Sequence, residues 1–169
     1  MELNNIFLIG MMGAGKSTAG VLLSQKINIP YLDMDSELER LMEMSIQTIL
    51  SEYGENRFRR IETTFFREIT KQDHLIYATG GGLVLDDKNQ KILKNKGVTI
   101  FLDCSVSKLI NRLENDPNKR PLLNKNFKNR IKRLYEDRYY IYKSCAHHKI
   151  NTNNLSPESV INLIVQCIS

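Results

Sequence analysis

Ile6-Phe7-Leu8-Ile9-Gly10-Met11-Met12-Gly13-Ala14-Gly15-Lys16-Ser17 decides the fold class. The apolar run at its start is too short for a helix and does not alternate, so it reads as a strand buried on both faces. Gly10 to Ser17 then satisfies G-x-x-x-x-G-K-[ST] with nothing missing. A helical pattern opens at Lys16 and runs to Ile27, with Ala19, Leu22, Leu23 and Ile27 on its apolar stripe. In that context the loop's backbone N–H groups curl around phosphate oxygens, and the helix adds the positive end of its dipole. A mere glycine-rich turn with a surface lysine would need neither the flanking strand nor the helix. Lys16 is expected to reach the β- and γ-phosphates, and the Ser17 hydroxyl to bind Mg²⁺. Taken alone, the loop indicates a nucleoside triphosphate and no more.

Outward from the loop, short apolar runs alternate with helical patterns, which predicts an α/β fold with a parallel sheet. Pro30-Tyr31-Leu32 begins a second strand that delivers Asp33 and Asp35. A mainly helical stretch from Asp35 to about Ile69 is broken near Ser45 and at Gly54. Leu75–Thr79 and Val98–Leu102 read as buried strands, and Lys149-Ile150-Asn151 as an edge strand. Asp86 or Asp87 caps one helix, Ser105 to Leu113 forms another, and a long one spans about Phe127 to Ser144. Ser156 caps the last, with Pro157 at its first position. The polar stretch around Glu114 to Asn126 reads as a surface linker or lid. No internal repeat and no second domain are visible.

A chain of 169 residues with 41% hydrophobic content can bury a full core without a metal or disulfide staple. The N-terminus lacks the basic region of a signal peptide and no apolar run would span a bilayer, so the expectation is a cytoplasmic protein. Cys104, Cys145 and Cys167 form no CxxC pair and read as reduced thiols. His74, His147 and His148 have no zinc-ligand spacing. The net charge of +5 would suit either a nucleic acid or a small polyanion. Much of the excess, between Lys119 and Lys143, lacks a basic run with interleaved aromatics and includes Glu136 and Asp137. It reads as a solvated helix face with a few functional arginines, and no nucleic-acid partner is expected.

Several residues have the makings of an acceptor site. A phosphate loop needs a carboxylate near Mg²⁺ at the end of a neighbouring strand, yet Leu75–Thr79 ends in Gly80-Gly81-Gly82 without an acid. Asp33 and Asp35 are the comparable candidates. On an extended segment they would share one face, one holding a metal-bound water and the other accepting a proton from a hydroxyl. The plainer alternative is that Asp35 caps the next helix. Arg59 and Glu62 lie three apart on a helix, either as a surface ion pair or as an arginine aimed at a substrate carboxylate. Three consecutive glycines suit close approach of a ligand to the backbone. Arg120, in the lid, could neutralise charge on a transferred phosphoryl group. Arg138, by itself, reads as a solvated position on the last long helix.

The sequence Met12-Gly13-Ala14-Gly15-Lys16-Ser17-Thr18, Asp33-x-Asp35, Gly54-Glu55-x-x-Phe58-Arg59-x-x-Glu62, Gly80-Gly81-Gly82, Arg120-Pro121-Leu122-Leu123 and Arg138-x-x-x-Tyr142 resembles the shikimate kinase family over nearly the whole chain. The resemblance implies a three-layer P-loop kinase fold of the nucleoside-monophosphate-kinase type, with a five-stranded parallel sheet in order 2-3-1-4-5. It implies one domain over 1–169, with a substrate-binding helical region at about 33–62 and a lid at about 112–125. Asp35, Arg59, Gly80, Gly81, Gly82 and Arg138 match the shikimate ligands. Asp35 would take ring hydroxyls and the two arginines the carboxylate. Gly13 to Thr18, Arg112, Arg120 and Asn153 match the ATP side, with Arg112 stacking on adenine and Asn153 in the adenine loop. Ser17 and Asp33 match the magnesium residues; Lys16, Asp35 and Arg120 match the catalytic ones. Tyr140 stands where family members often have proline, and Asn151 where an aspartate is common.

The reading is therefore a kinase that uses Mg²⁺ with ATP and phosphorylates the 3-hydroxyl of shikimate, in aromatic amino-acid biosynthesis, as a monomer with no nucleic-acid or membrane partner. A gluconate kinase fits Phe58-Arg59 and the triple glycine less well. A nucleotide kinase would set Asp35 against a phosphate. A nucleic-acid-dependent ATPase would have no need of a polyol site.

Overall fold

β1 (Asn5–Ile9) is buried along its whole length and forms the middle of the sheet in the computed structural model, which describes residues 5–115 and 126–169. Its continuous apolar run follows from that position, since a central strand between two helical layers has no solvent face. The remaining strands are β2 (Tyr31–Asp33), β3 (Ile76–Ala78), β4 (Gly97–Asp103) and β5 (His148–Asn151). They lie in the order β2-β3-β1-β4-β5, every neighbouring pair parallel. β3 is shorter than the sequence indicates, but its ladder extends past both ends: Ile6 N donates to Leu75 O and Thr79 N to Leu8 O.

The helices are α1 (Lys16–Ile27), α2 (Met34–Met42), α3 (Ile46–Ile69), α4 (Asp87–Asn95), α5 (Val106–Glu114), α6 (Phe127–Cys145) and α7 (Pro157–Ile168). α1 packs on α7, while α4 and α6 pack on one another and on β4, giving the three layers. Several of their boundaries follow from side-chain caps. Ser45 Oγ accepts from Thr48 N, Asp86 Oδ1 from Lys88 N, and Ser156 Oγ from Ser159 N. Each such cap stabilises its helix by about 1 kcal/mol. Gly54 interrupts α3 at φ 77°, ψ 164°.

Two apolar clusters form. The main one surrounds the sheet. A smaller one joins α2 to α3 through Leu38, Ile49 and Phe58, with Met42, Met44, Ile46, Ile61 and Phe65 around it. It gives the helical region after β2 its own footing beside the sheet. The chain lays β2 and β3 on one side of β1 and β4 and β5 on the other. This order opens a crevice at the strands' carboxyl ends, where open α/β sheets bind ligands.

Candidate active site

The loop between β1 and α1 occupies that crevice. Gly15 precedes α1 in the left-handed region, φ 96°, and no side chain caps the helix. A residue with a Cβ would be strained there, and the first-turn N–H groups are left to face a ligand. Lys16 is buried, its Nζ donating to Gly10 O and Met11 O at 2.9 Å each, so the loop fixes its lysine through its own backbone. Arg112, at the end of α5, donates from Nη1 to Gly13 O at 3.1 Å.

The two aspartates separate in role. They do not form an extended pair: Asp33 ends β2, whereas Asp35 stands in the first turn of α2. The helix cap is Asp33, not Asp35, with Oδ1 accepting from Ser36 N at 3.1 Å. Asp33 Oδ2 accepts from Ser17 Oγ at 2.7 Å and from Tyr31 Oη at 3.0 Å. Burial alone would raise the Asp33 carboxyl, but the Ser17, Ser36 and Tyr31 donors outweigh it and hold Asp33 below the ordinary value. Asp35 is solvent-exposed in the open cleft. The cleft walls still withhold part of its hydration, which pushes its carboxyl up; Asp33 and Glu39 push the same way, against Lys16 and Arg59.

Opposite Asp35, the acceptor side is assembled from α3, the triple glycine and α6. Arg59 Nη1 meets Glu62 Oε2 at 2.7 Å, and Nη2 lies 3.3 Å from Glu55. Glu62 is buried, so this is no surface ion pair. Burial pushes Glu62 up, with Arg59 and Arg138 pulling against it and Asp35 adding to it. Nor is Arg138 on a solvated face. It is 7% exposed, and its Nη1 donates to Gly81 O at 3.2 Å. Tyr142, one turn on, donates its hydroxyl to the same carbonyl.

The glycines answer to these side chains. A Cβ on Gly80 would lie 2.7 Å from Glu62 Oε1 and 2.8 Å from Asp35 Oδ1. On Gly82 it would overlap the Arg59 guanidinium, whereas on Gly81 it would meet only ordinary contacts, the nearest 3.5 Å away at Met12 N. A ligand approaching the backbone is not the only reason for the run of glycines. At Gly80 and Gly82 the protein's own charged groups already require it.

A cleft of about 1000 Å³ is lined by the phosphate loop, Asp33, Asp35, Thr79, Gly81 and Arg112, whereas Arg59, Gly80, Gly82 and Arg138 are not among its lining residues. Among the lining residues that no motif announces are the polar and charged groups Glu39, Gln47 and Arg130. Arg130 could have been found from the α6 stripe, since Arg130, Leu134 and Arg138 recur at four-residue spacing. Asn153 is not among the lining residues. Its Oδ1 accepts from Ser105 N at 2.8 Å, fixing the turn into α5, and Thr152, Leu155 and Pro157 line the cleft instead. Arg120, and the expected lid apart from residues 112–115, lie outside the described residues.

The model of the shikimate kinase family matches residues 12–169. The chain belongs to the shikimate kinase family. It is therefore an ATP-dependent phosphotransferase whose acceptor is shikimate. A shikimate kinase of Clostridium botulinum (strain Eklund 17B / Type B) is 44% identical over 98% of this chain and 97% of its own length. One of Buchnera aphidicola from Schizaphis graminum is 40% identical over 99% and 97%. The solved shikimate kinase from Acinetobacter baumannii in complex with shikimate superposes with a TM-score of 0.91 at 35% identity, over 98% of this chain and 93% of that one. The strand order and P-loop of this family are those described above. Among the described residues no helix is long and apolar enough to cross a membrane.

Proposed function

We propose that the γ-phosphate of ATP passes in line to the 3-hydroxyl of shikimate, with the phosphate loop holding the donor and Asp35, Arg59 and Arg138 the acceptor. The observation that supports this most is the pairing across the triple glycine. Two cationic forks, Arg59 and Arg138, flank Gly80–Gly82, beside a carboxylate, Asp35, that is open to the cleft. A planar carboxylate is bound well by such forks, and a ring hydroxyl by Asp35. Asp35 orients the attacking hydroxyl and accepts its proton. Lys16 follows the charge on the phosphates, and Arg120 has the same assignment on its motif. Arg112 contributes to the adenine side.

Ser17 and Asp33 are suited to Mg²⁺. Because the Ser17 hydroxyl donates its hydrogen bond to Asp33 Oδ2, its lone pairs are left for a cation. Among the described residues no cluster of acids, histidines or cysteines could cage a metal, and Mg²⁺ characteristically takes few protein ligands beside phosphates and water. Bound there, the ion would neutralise phosphate charge. The free cysteines fit a cytoplasmic setting, and we expect a monomer.

Coupled ADP release tests the acceptor, comparing shikimate with gluconate, a nucleoside monophosphate and single-stranded DNA. Stimulation by shikimate alone is expected. Stimulation by another acceptor with silence toward shikimate would overturn the assignment of the arginines. Asp35→Asn should abolish turnover while leaving ATP binding largely intact, and loss of ATP binding would contradict the division of the site.

A further inference from the structure

We propose that Tyr31 is a positioning residue for the magnesium site, holding Asp33 so that Asp33 in turn orients the Ser17 hydroxyl. The inference rests on the reading of Ser17 and Asp33 as the magnesium residues.

Asp33 has little freedom left for a cation of its own. Its Oδ1 accepts from Ser36 N, and its Oδ2 accepts from both Ser17 Oγ and Tyr31 Oη. The cation would therefore feel Asp33 through Ser17. The direction of the Ser17 lone pairs depends on where Oδ2 stands, and Tyr31 is the second group that fixes it. The α2 cap alone fixes the other oxygen and leaves the carboxylate able to rock about it.

The ring that carries this hydroxyl is itself seated. Tyr31 opens β2, and its ring packs closely against α1 at Gly20, where a Cβ would overlap the ring carbons. Gly20 lies in the interior of α1, where glycine destabilises a helix by about 1 kcal/mol relative to alanine. Close contact with Tyr31 accounts for it. The phosphate loop opens the same helix, so one short arc runs from Gly20 through Tyr31 and Asp33 back to Ser17.

The test is ADP affinity by calorimetry, with Mg²⁺ and with EDTA, for the wild type, Tyr31→Phe and Ser17→Ala. Phenylalanine keeps the ring on Gly20 and removes only the hydroxyl. The affinity gained from Mg²⁺ should fall by about tenfold in Tyr31→Phe, with metal-free ADP affinity and melting temperature unchanged. Gly20→Ala, which displaces the ring, should show the same loss, and adding Tyr31→Phe to it should take away nothing more. An undiminished Mg²⁺ gain in Tyr31→Phe overturns the inference. So does an equal loss with and without Mg²⁺, which would make the phenol a packing group. If Ser17→Ala keeps the full Mg²⁺ gain, the metal assignment fails and the inference with it. If Ser17→Ala loses the gain and Tyr31→Phe keeps it, the inference alone fails.

Discussion

The donor and acceptor halves of the cleft are built on different terms. The phosphate half is one uninterrupted stretch, Gly10 to Ser17, held largely by its own backbone: Lys16 rests on Gly10 O and Met11 O, and Ala14 N on Met11 O. The acceptor half joins α2, α3, the turn after β3 and α6, and it depends on side chains meeting across the fold. Gly81 O alone collects Arg138 and Tyr142 from 57 and 61 residues away. A site made of backbone is tolerant of its surroundings and strict about local sequence. One made of distant side chains is strict about clearance, and this is why Gly80 and Gly82 lie where Asp35, Glu62 and Arg59 converge.

The sharpest break between the halves should come from Lys16→Ala against Arg59→Ala. Lys16→Ala is expected to lower kcat on the order of 10³-fold, through loss of charge stabilisation on the phosphates. Arg59→Ala should lower kcat/KM for shikimate by about 10²-fold or more, because it leaves Glu62 buried without its partner. Steady-state kinetics with direct ADP binding separate them: ADP affinity should survive in Arg59→Ala. If it collapses, the halves are not independent.

A smaller contrast lies within the triple glycine. Gly82→Ala should raise the KM for shikimate by about tenfold, since Arg59 must give way, while Gly81→Ala should change it by less than about threefold. Equal effects at the two positions would mean that backbone freedom, not clearance, explains the run.

The mildest effect concerns pH. The carboxyl of Asp35 is raised in the folded protein, and the ionised form does the work. Activity should therefore be lost as pH falls through that raised value, so the acid limb of kcat/KM begins above the ordinary 3.8 of an aspartate. Glu39 is one of the charges that push Asp35 up, so Glu39→Gln should move the limb to lower pH. A shift upward would remove Asp35 as the titrating group.

The helix boundaries were legible because their signals are local: Ser45, Asp86 and Ser156 each cap within three residues of themselves. Arg138 was not legible by spacing, because a charged residue on a polar helix has the same local pattern whether it faces water or a carbonyl from another element. Asp33 and Asp35 were found as a pair but given the wrong geometry. Whether β2 continues or turns into α2 after Asp33 is settled by packing of Met34 and Leu38 into two different clusters, and this the pair itself does not express.

By itself, then, the sequence determined the phosphate loop, the parallel α/β class and the set of residues that resembles a shikimate site. Those depend on backbone conformation and on periodicity, which act over a few residues. Only the tertiary structure decided that Glu62 is buried against Arg59, that Arg138 turns inward to Gly81, and that Tyr31 reaches Asp33 across a bare Gly20. Each of these depends on which side chains are desolvated together, and desolvation is a property of the packed fold rather than of any segment.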